Sequence, residues 1–168
     1  MIRSTLRFAL RARKWAVAPL AMVMATALLA NSASAATPTE GSGTFTFAAI
    51  VTSSRTAGGN TFLSLSGTEH IAGPITGIAP VQFTQVIHST GEANINGIIT
   101  CPVCVVGGRT GSVEFLFEGT GAGTAASPFD GQFVAQHGSG GLSDLHAVGT
   151  FHAVGPGGTY TLRWHFDP

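Results

Sequence analysis

Two cysteines, six histidines and eight carboxylates are the side chains of this chain best suited to chemistry, and their spacing limits what each can do. Cys101-Pro102-Val103-Cys104 is the only cysteine pair. In a redox protein, C-x-x-C opens a helix after a strand, and a lowered thiol pKa drives exchange. No such βαβ setting surrounds it here. A structural disulfide, Cys101 to Cys104, is the expected state in an oxidising compartment, with redox exchange and metal binding as the alternatives. The loop it closes is tiny, so its stabilisation should be small, and its expected task is to fix a turn. The histidines are His70, His88, His137, His146, His152 and His165. Several fall at the ends of extended runs, where a barrel rim could gather them. Zinc or copper needs about three converging donors. No H-x-H or H-E-x-x-H spacing occurs, so exposed rim histidines and no metal are expected.

Glu114 and Glu118 share one face of a strand-like run. At a sugar, paired carboxylates could act as glycosidase acid and base, but simple alternation already explains them as a solvated outer face. Glu69 and Arg163 are the other charges within strand-like runs. Either would need a partner or ligand if it pointed inward, because an unpaired buried charge is costly. Parity with Thr159, Thr161 and His165 sends Arg163 outward. Arg109, in the glycine turn GGRTGS, could fork a phosphate or carboxylate, and is expected instead to tie neighbouring carbonyls. No phosphate loop follows it, and no serine has a G-x-S-x-G context.

Charge and hydropathy divide the chain before any fold is considered. Arg3, Arg7, Arg11, Arg13 and Lys14 precede an apolar run from Trp15 to Ala30 and the small residues Ala33-Ser34-Ala35. This order predicts a secretory signal peptide over 1–35, cleaved on export, and hence a secreted or periplasmic protein. The remainder holds three arginines, no lysine and all eight acids, and so carries five net negative charges. Such a surface has little means of neutralising phosphates, which argues against nucleic acid and anionic membranes as partners. No second apolar run of spanning length follows the leader.

All 23 glycines fall after the leader, between short β-prone runs rich in Phe, Val, Ile and Thr. A polar, flexible lead-in is expected over 36–43 and a single domain over 44–168. Eight runs are predicted as strands: 44–52, 61–70, 75–88, 93–100, 112–119, 129–137, 147–154 and 159–166. Alternation places Leu63 and Leu65 on one face of the second, and Val113, Phe115 and Phe117 on one face of the fifth. In the eighth, Tyr160, Leu162, Trp164 and Phe166 share a face. The third should bend at Gly77 or Pro80. Brief glycine turns between the runs favour an all-β, eight-stranded antiparallel up-and-down barrel, since closure removes exposed edges.

The C-terminal half carries GGRTGSVEFLFEGTG (107–121), FDGQFVAQHGSGGLSDLHAVGTF (129–151) and GGTYTLRWHF (157–166). This succession resembles the bacterial DUF3224 proteins, a family of unknown function grouped with the allene oxide cyclase-like barrels. The resemblance rests on Gly107, Gly108, Arg109, Gly111 and Ser112, then on Gly138, Gly140, Leu142, Leu145, Gly149 and Phe151. It ends on Tyr160, Leu162, Trp164 and Phe166, and covers about residues 41–166, the first half only in outline. Relatives often place Gln-His where this chain has Leu116-Phe117. The resemblance implies a barrel of allene oxide cyclase type and supplies no activity. Those cyclases steer ring closure of an apolar epoxide by cavity shape, and dirigent proteins share the barrel type. Neither set of functional residues carries over.

An eight-stranded barrel is either just filled or holds one small ligand. Phe45, Phe47, Phe115, Phe117, Phe133 and Trp164 are the candidate lining. The expected role is a noncatalytic binding or structural module for a small apolar ligand, without a cofactor. An isomerase or cyclase acting through cavity shape is the alternative, and a C-x-x-C redox protein a weaker one. Ligand identity and oligomeric state are not legible.

Overall fold

A computed structural model describes residues 37–124 and 126–167. The expected leader, 1–35, lies outside them. Eight strands follow one another in the order of the chain: β1 (Thr39–Ala57), β2 (Asn60–Ala72), β3 (Ile75–Ile87), β4 (Glu92–Val106), β5 (Arg109–Ala122), β6 (Phe129–Gln136), β7 (Leu145–Val154) and β8 (Gly157–Phe166). Each pairs antiparallel with its sequence neighbour. β1 also pairs with β8, from Thr39↔Trp164 to Thr46↔Gly157, and this closes the sheet into a barrel. Closure removes most of the free strand edge, although beyond Thr46 β1 is paired only with β2.

The pairing of β1 with β8 corrects one expectation. Residues 39–43, read as part of a flexible lead-in, are strand. Their polar, glycine-containing composition hid it. Gly41 and Gly43 are required because a Cβ at Gly41 would press on Pro74, and one at Gly43 on the Tyr160 ring. A close approach of this kind is what glycine in a strand often marks.

Four hairpin turns stand at one end of the barrel; three turns, the start of β1 and the end of β8 stand at the other. The second end is filled. Val106, Val113, Phe115, Leu142 and Leu162 are at most 1 % exposed there, with Ile71, Ile75 and Trp164 beside them. Leu142 comes from a 3-10 turn, Gly140–Leu142, that folds against β5 and plugs this end. Burying each such side chain contributes about 1.5–3 kcal/mol.

Cys101 and Cys104 form a disulfide, fully buried in this same core. It does not sit in the β4–β5 turn, as expected, but inside β4, across a bulge between Cys101 and Cys104 in the pairing with β5. The turn itself is Gly107-Gly108, both at positive φ. Opposite the bulge, the β3–β4 register breaks between Thr76 and Val81. A Cβ at Gly77 would lie 2.6 Å from Cys104 Sγ, so glycine there admits the disulfide. This break in pairing spans Gly77 to Pro80, the stretch where the sequence predicts a bend.

Tyr160 ties β8 to the β2–β3 turn. Its Oη accepts a hydrogen bond from the Ile75 N–H at 3.0 Å, and its hydroxyl donates toward the carbonyls of Ala72 and Ile75, both at 3.2 Å. Burial pushes its phenol above the ordinary 10, an effect partly offset by the bond from Ile75. Tyr160→Phe should cost about 1–3 kcal/mol, because the buried Ile75 N–H loses its acceptor. A urea-unfolding midpoint unchanged from that of the wild type would refute this.

Candidate functional site

The half of the barrel beneath the four hairpin turns is open. A cavity of about 780 Å³ runs from those turns down to the filled core. That is within the usual range for small-molecule sites, roughly 300–1,000 Å³. Phe45, Phe47, Phe115, Phe117 and Phe133 all line it, together with Phe83, Phe129 and Phe151. Trp164, the sixth expected lining residue, is inside the barrel but off the cavity wall. It belongs to the filled end and packs against Gly107. Alternation predicts the side of a strand correctly but says nothing of height along the barrel axis.

Cross-strand pairing explains why so many phenyl rings leave space in the middle. Phe45 is paired with Gly158, Phe117 with Gly97, Phe133 with Gly149 and Phe151 with Gly131. A Cβ at Gly149 would overlap the Phe133 ring, and one at Gly131 the Phe151 ring. Each ring lies over the glycine beside it and covers bare backbone. The rings then meet edge to face: Phe115 with Phe133 at 5.9 Å, Phe117 with Phe151 at 6.2 Å and Phe133 with Tyr160 at 6.1 Å. Such contacts contribute about 0.5–1.5 kcal/mol each beyond area burial.

One charged residue interrupts this apolar wall. Glu69 on β2 lines the cavity and is 9 % exposed. Its cross-strand neighbours are Phe47 and Ala79, neither of which can bond it. Among the described residues no cation pairs with its carboxyl, and burial alone raises its pKa from 4.5 to about 7. Desolvation without a compensating charge favours the neutral acid. The other polar lining residues are Tyr160, at the filled end, and Gln85, Thr124 and Ser127. Glu69 was visible in the sequence as a charge within a strand. Its inward direction follows from sharing parity with Leu63 and Leu65. Phe83, Phe129 and Phe151 carried the same signal in their own runs.

The remaining candidates face outward. Glu118 accepts from Gln132 Nε2 at 2.7 Å, and Glu114 pairs with His137 Nδ1 at 2.7 Å. Arg163 pairs with Glu40 at 3.2 Å. Arg109 places its guanidinium 4.0 Å from the centre of the Phe166 ring, a cation–π contact rather than the expected ties to carbonyls. His88 bonds Asn94, and His152 bonds Asp130. His146 and His165 are cross-strand partners whose rings stack 4.8 Å apart. Asp167 Oδ2 lies 3.1 Å from His146 Nε2, and its Oδ1 3.9 Å from His165 Nε2.

No family model and no curated protein matches this sequence. Among solved structures it is similar to a protein of unknown function from the DUF3224 family of Shewanella oneidensis MR-1. The two are 18% identical with a TM-score of 0.58, over 78% of this chain and 99% of that one. The chain thus shares the fold of a DUF3224 family protein, the family that its C-terminal motifs resemble.

Proposed function

We propose that this protein is an exported binding module of the DUF3224 group, in a barrel of allene oxide cyclase type, which holds a small apolar molecule bearing one polar group. The observation that carries the reading is Glu69: a lone carboxyl in an apolar cavity of about 780 Å³, with no cation to meet it among the described residues. Apolar walls with few polar groups are the usual form of a ligand site, the polar ones setting orientation. A protonated Glu69 can donate to a carbonyl or hydroxyl of the ligand, and an ionised one can pair with an amine. The basic, apolar and A-x-A order of residues 1–35 supports export.

A second reading is favoured by the same carboxyl. A pKa of about 7 suits general acid–base work near neutral pH. An isomerase or cyclase moving a proton on an apolar substrate would use Glu69 in that way.

Native mass spectrometry of protein purified from its host tests the binding reading, together with titration of the neutral probe N-phenyl-1-naphthylamine. The expected result is a co-purified small-molecule mass and one probe site per chain, with probe displaced by the extracted ligand. Absence of both co-purified mass and probe binding would overturn the reading. Turnover of the extracted molecule by the wild type but not by Glu69→Gln would favour the enzyme.

A further inference from the structure

We infer that His146, His165 and Asp167 form a binding site for a divalent late transition metal, on the outside of the filled end of the barrel. The inference is independent of the cavity. Position 146 lies at the start of β7 and position 165 at the end of β8, and antiparallel register sets them directly opposite. Neighbouring strands stand about 4.8 Å apart, and the two imidazoles stack with only 6° between their planes. Both present Nε2 to the same carboxylate, at 3.1 and 3.9 Å. All three ligating atoms lie within 4.8 Å of one another. Metal–donor bonds of about 2.0–2.2 Å put tetrahedral donors about 3.3–3.5 Å apart, so the three donors are already near that spacing. The two rings, parallel as they stand, turn out of their stack to bring both Nε2 lone pairs onto one ion.

The third ligand is held in place. Asp167 follows β8, and its backbone N–H donates to the Asp144 carbonyl at 3.2 Å. This bond anchors the residue just beyond the strand, so its carboxylate does not depend on a free tail for its position. Two imidazoles and a carboxylate suit zinc, nickel and copper, with copper(II) the tightest of the three. His146 and Asp167 are exposed, so solvent can complete the coordination. Sequence spacing alone could not reveal the site. Its histidines are nineteen positions apart, and only the β7–β8 pairing joins them.

Copper(II) alone, titrated into tag-free protein, is the test. One ion per chain is expected, with two-nitrogen hyperfine structure in its electron paramagnetic resonance spectrum. Losing a metal's outer-shell partner costs ~10–100-fold in affinity, and losing a ligand at least as much. His165→Ala and Asp167→Asn should therefore each weaken binding by ~10-fold or more. His70→Ala, at an exposed position on β2, should leave it unchanged. Zinc added to the wild type should shift the ring signals of His146 and His165 in nuclear magnetic resonance, a readout that needs no variant. Copper affinity unchanged in His165→Ala, or an equal loss in His70→Ala, would overturn the assignment. So would zinc-induced shifts at other histidines but not at this pair.

Discussion

Glu69→Gln should unfold at the same urea concentration as the wild type near pH 4 and at a markedly higher one at pH 8. The carboxyl titrates near 4.5 when the chain is unfolded and near 7 when it is folded. Below 4.5 both states hold the proton, and the group costs nothing. Between 4.5 and 7 the unfolded chain has released it while the folded chain retains it, so stability falls as pH rises. Above 7 the folded state carries a buried, unpartnered charge and the full cost is present. At 1.36 kcal/mol for each pH unit, that cost is roughly 3 kcal/mol. The amide keeps nearly the same shape and cannot ionise. The difference between the two proteins therefore isolates this one group from every other titrating side chain. Parallel stability curves for the two across pH 4–8 would show that Glu69 ionises as freely when folded as when unfolded, and the cavity would lose its distinguishing group.

Phe115→Ala should cost about 3–5 kcal/mol, whereas Leu116→Ala, one residue away, should change stability by about 0.5 kcal/mol or less. Phe115 is 1 % exposed, and its ring meets that of Phe133 where the cavity gives way to the filled core. Truncation removes the transfer energy of the ring and leaves a void that the closed sheet cannot collapse into. Leu116 is 38 % exposed on the outer wall, where truncation removes little burial. The loss at 115 is a large fraction of the 5–15 kcal/mol typical of a domain. Comparable losses at the two positions in equilibrium denaturation would mean that β5 is paired one residue out of register, which would exchange inner and outer faces throughout.

Much of this architecture can be read without coordinates. Period-two alternation in β5 and β8 separates inside from outside, because successive strand side chains point to opposite faces. Glycine turns between eight such runs mark an antiparallel meander, and the motifs from Gly107 to Phe166 point to the family whose fold the chain shares. Five of the six expected cavity residues lie on the cavity wall for the same reason. The lumenal direction of Glu69 was implicit in its parity with Leu63 and Leu65.

Other features depend on which strand lies beside which. The strand character of residues 39–43 comes from pairing with β8, and nothing local in ATPTEGSG announces it. Cys101-Pro102-Val103-Cys104 looks like a turn because of its proline and short spacing. It is a bulge within β4 because Gly77 on β3 leaves room for the sulfurs. Trp164 and Phe133 alternate inward alike, yet one fills the barrel and the other lines its cavity, a matter of height set by strand stagger. His146, His165 and Asp167 converge only through register. Local sequence determines the period and therefore the face. Long-range pairing determines the neighbours, and a site built from several strands exists only once those neighbours are chosen.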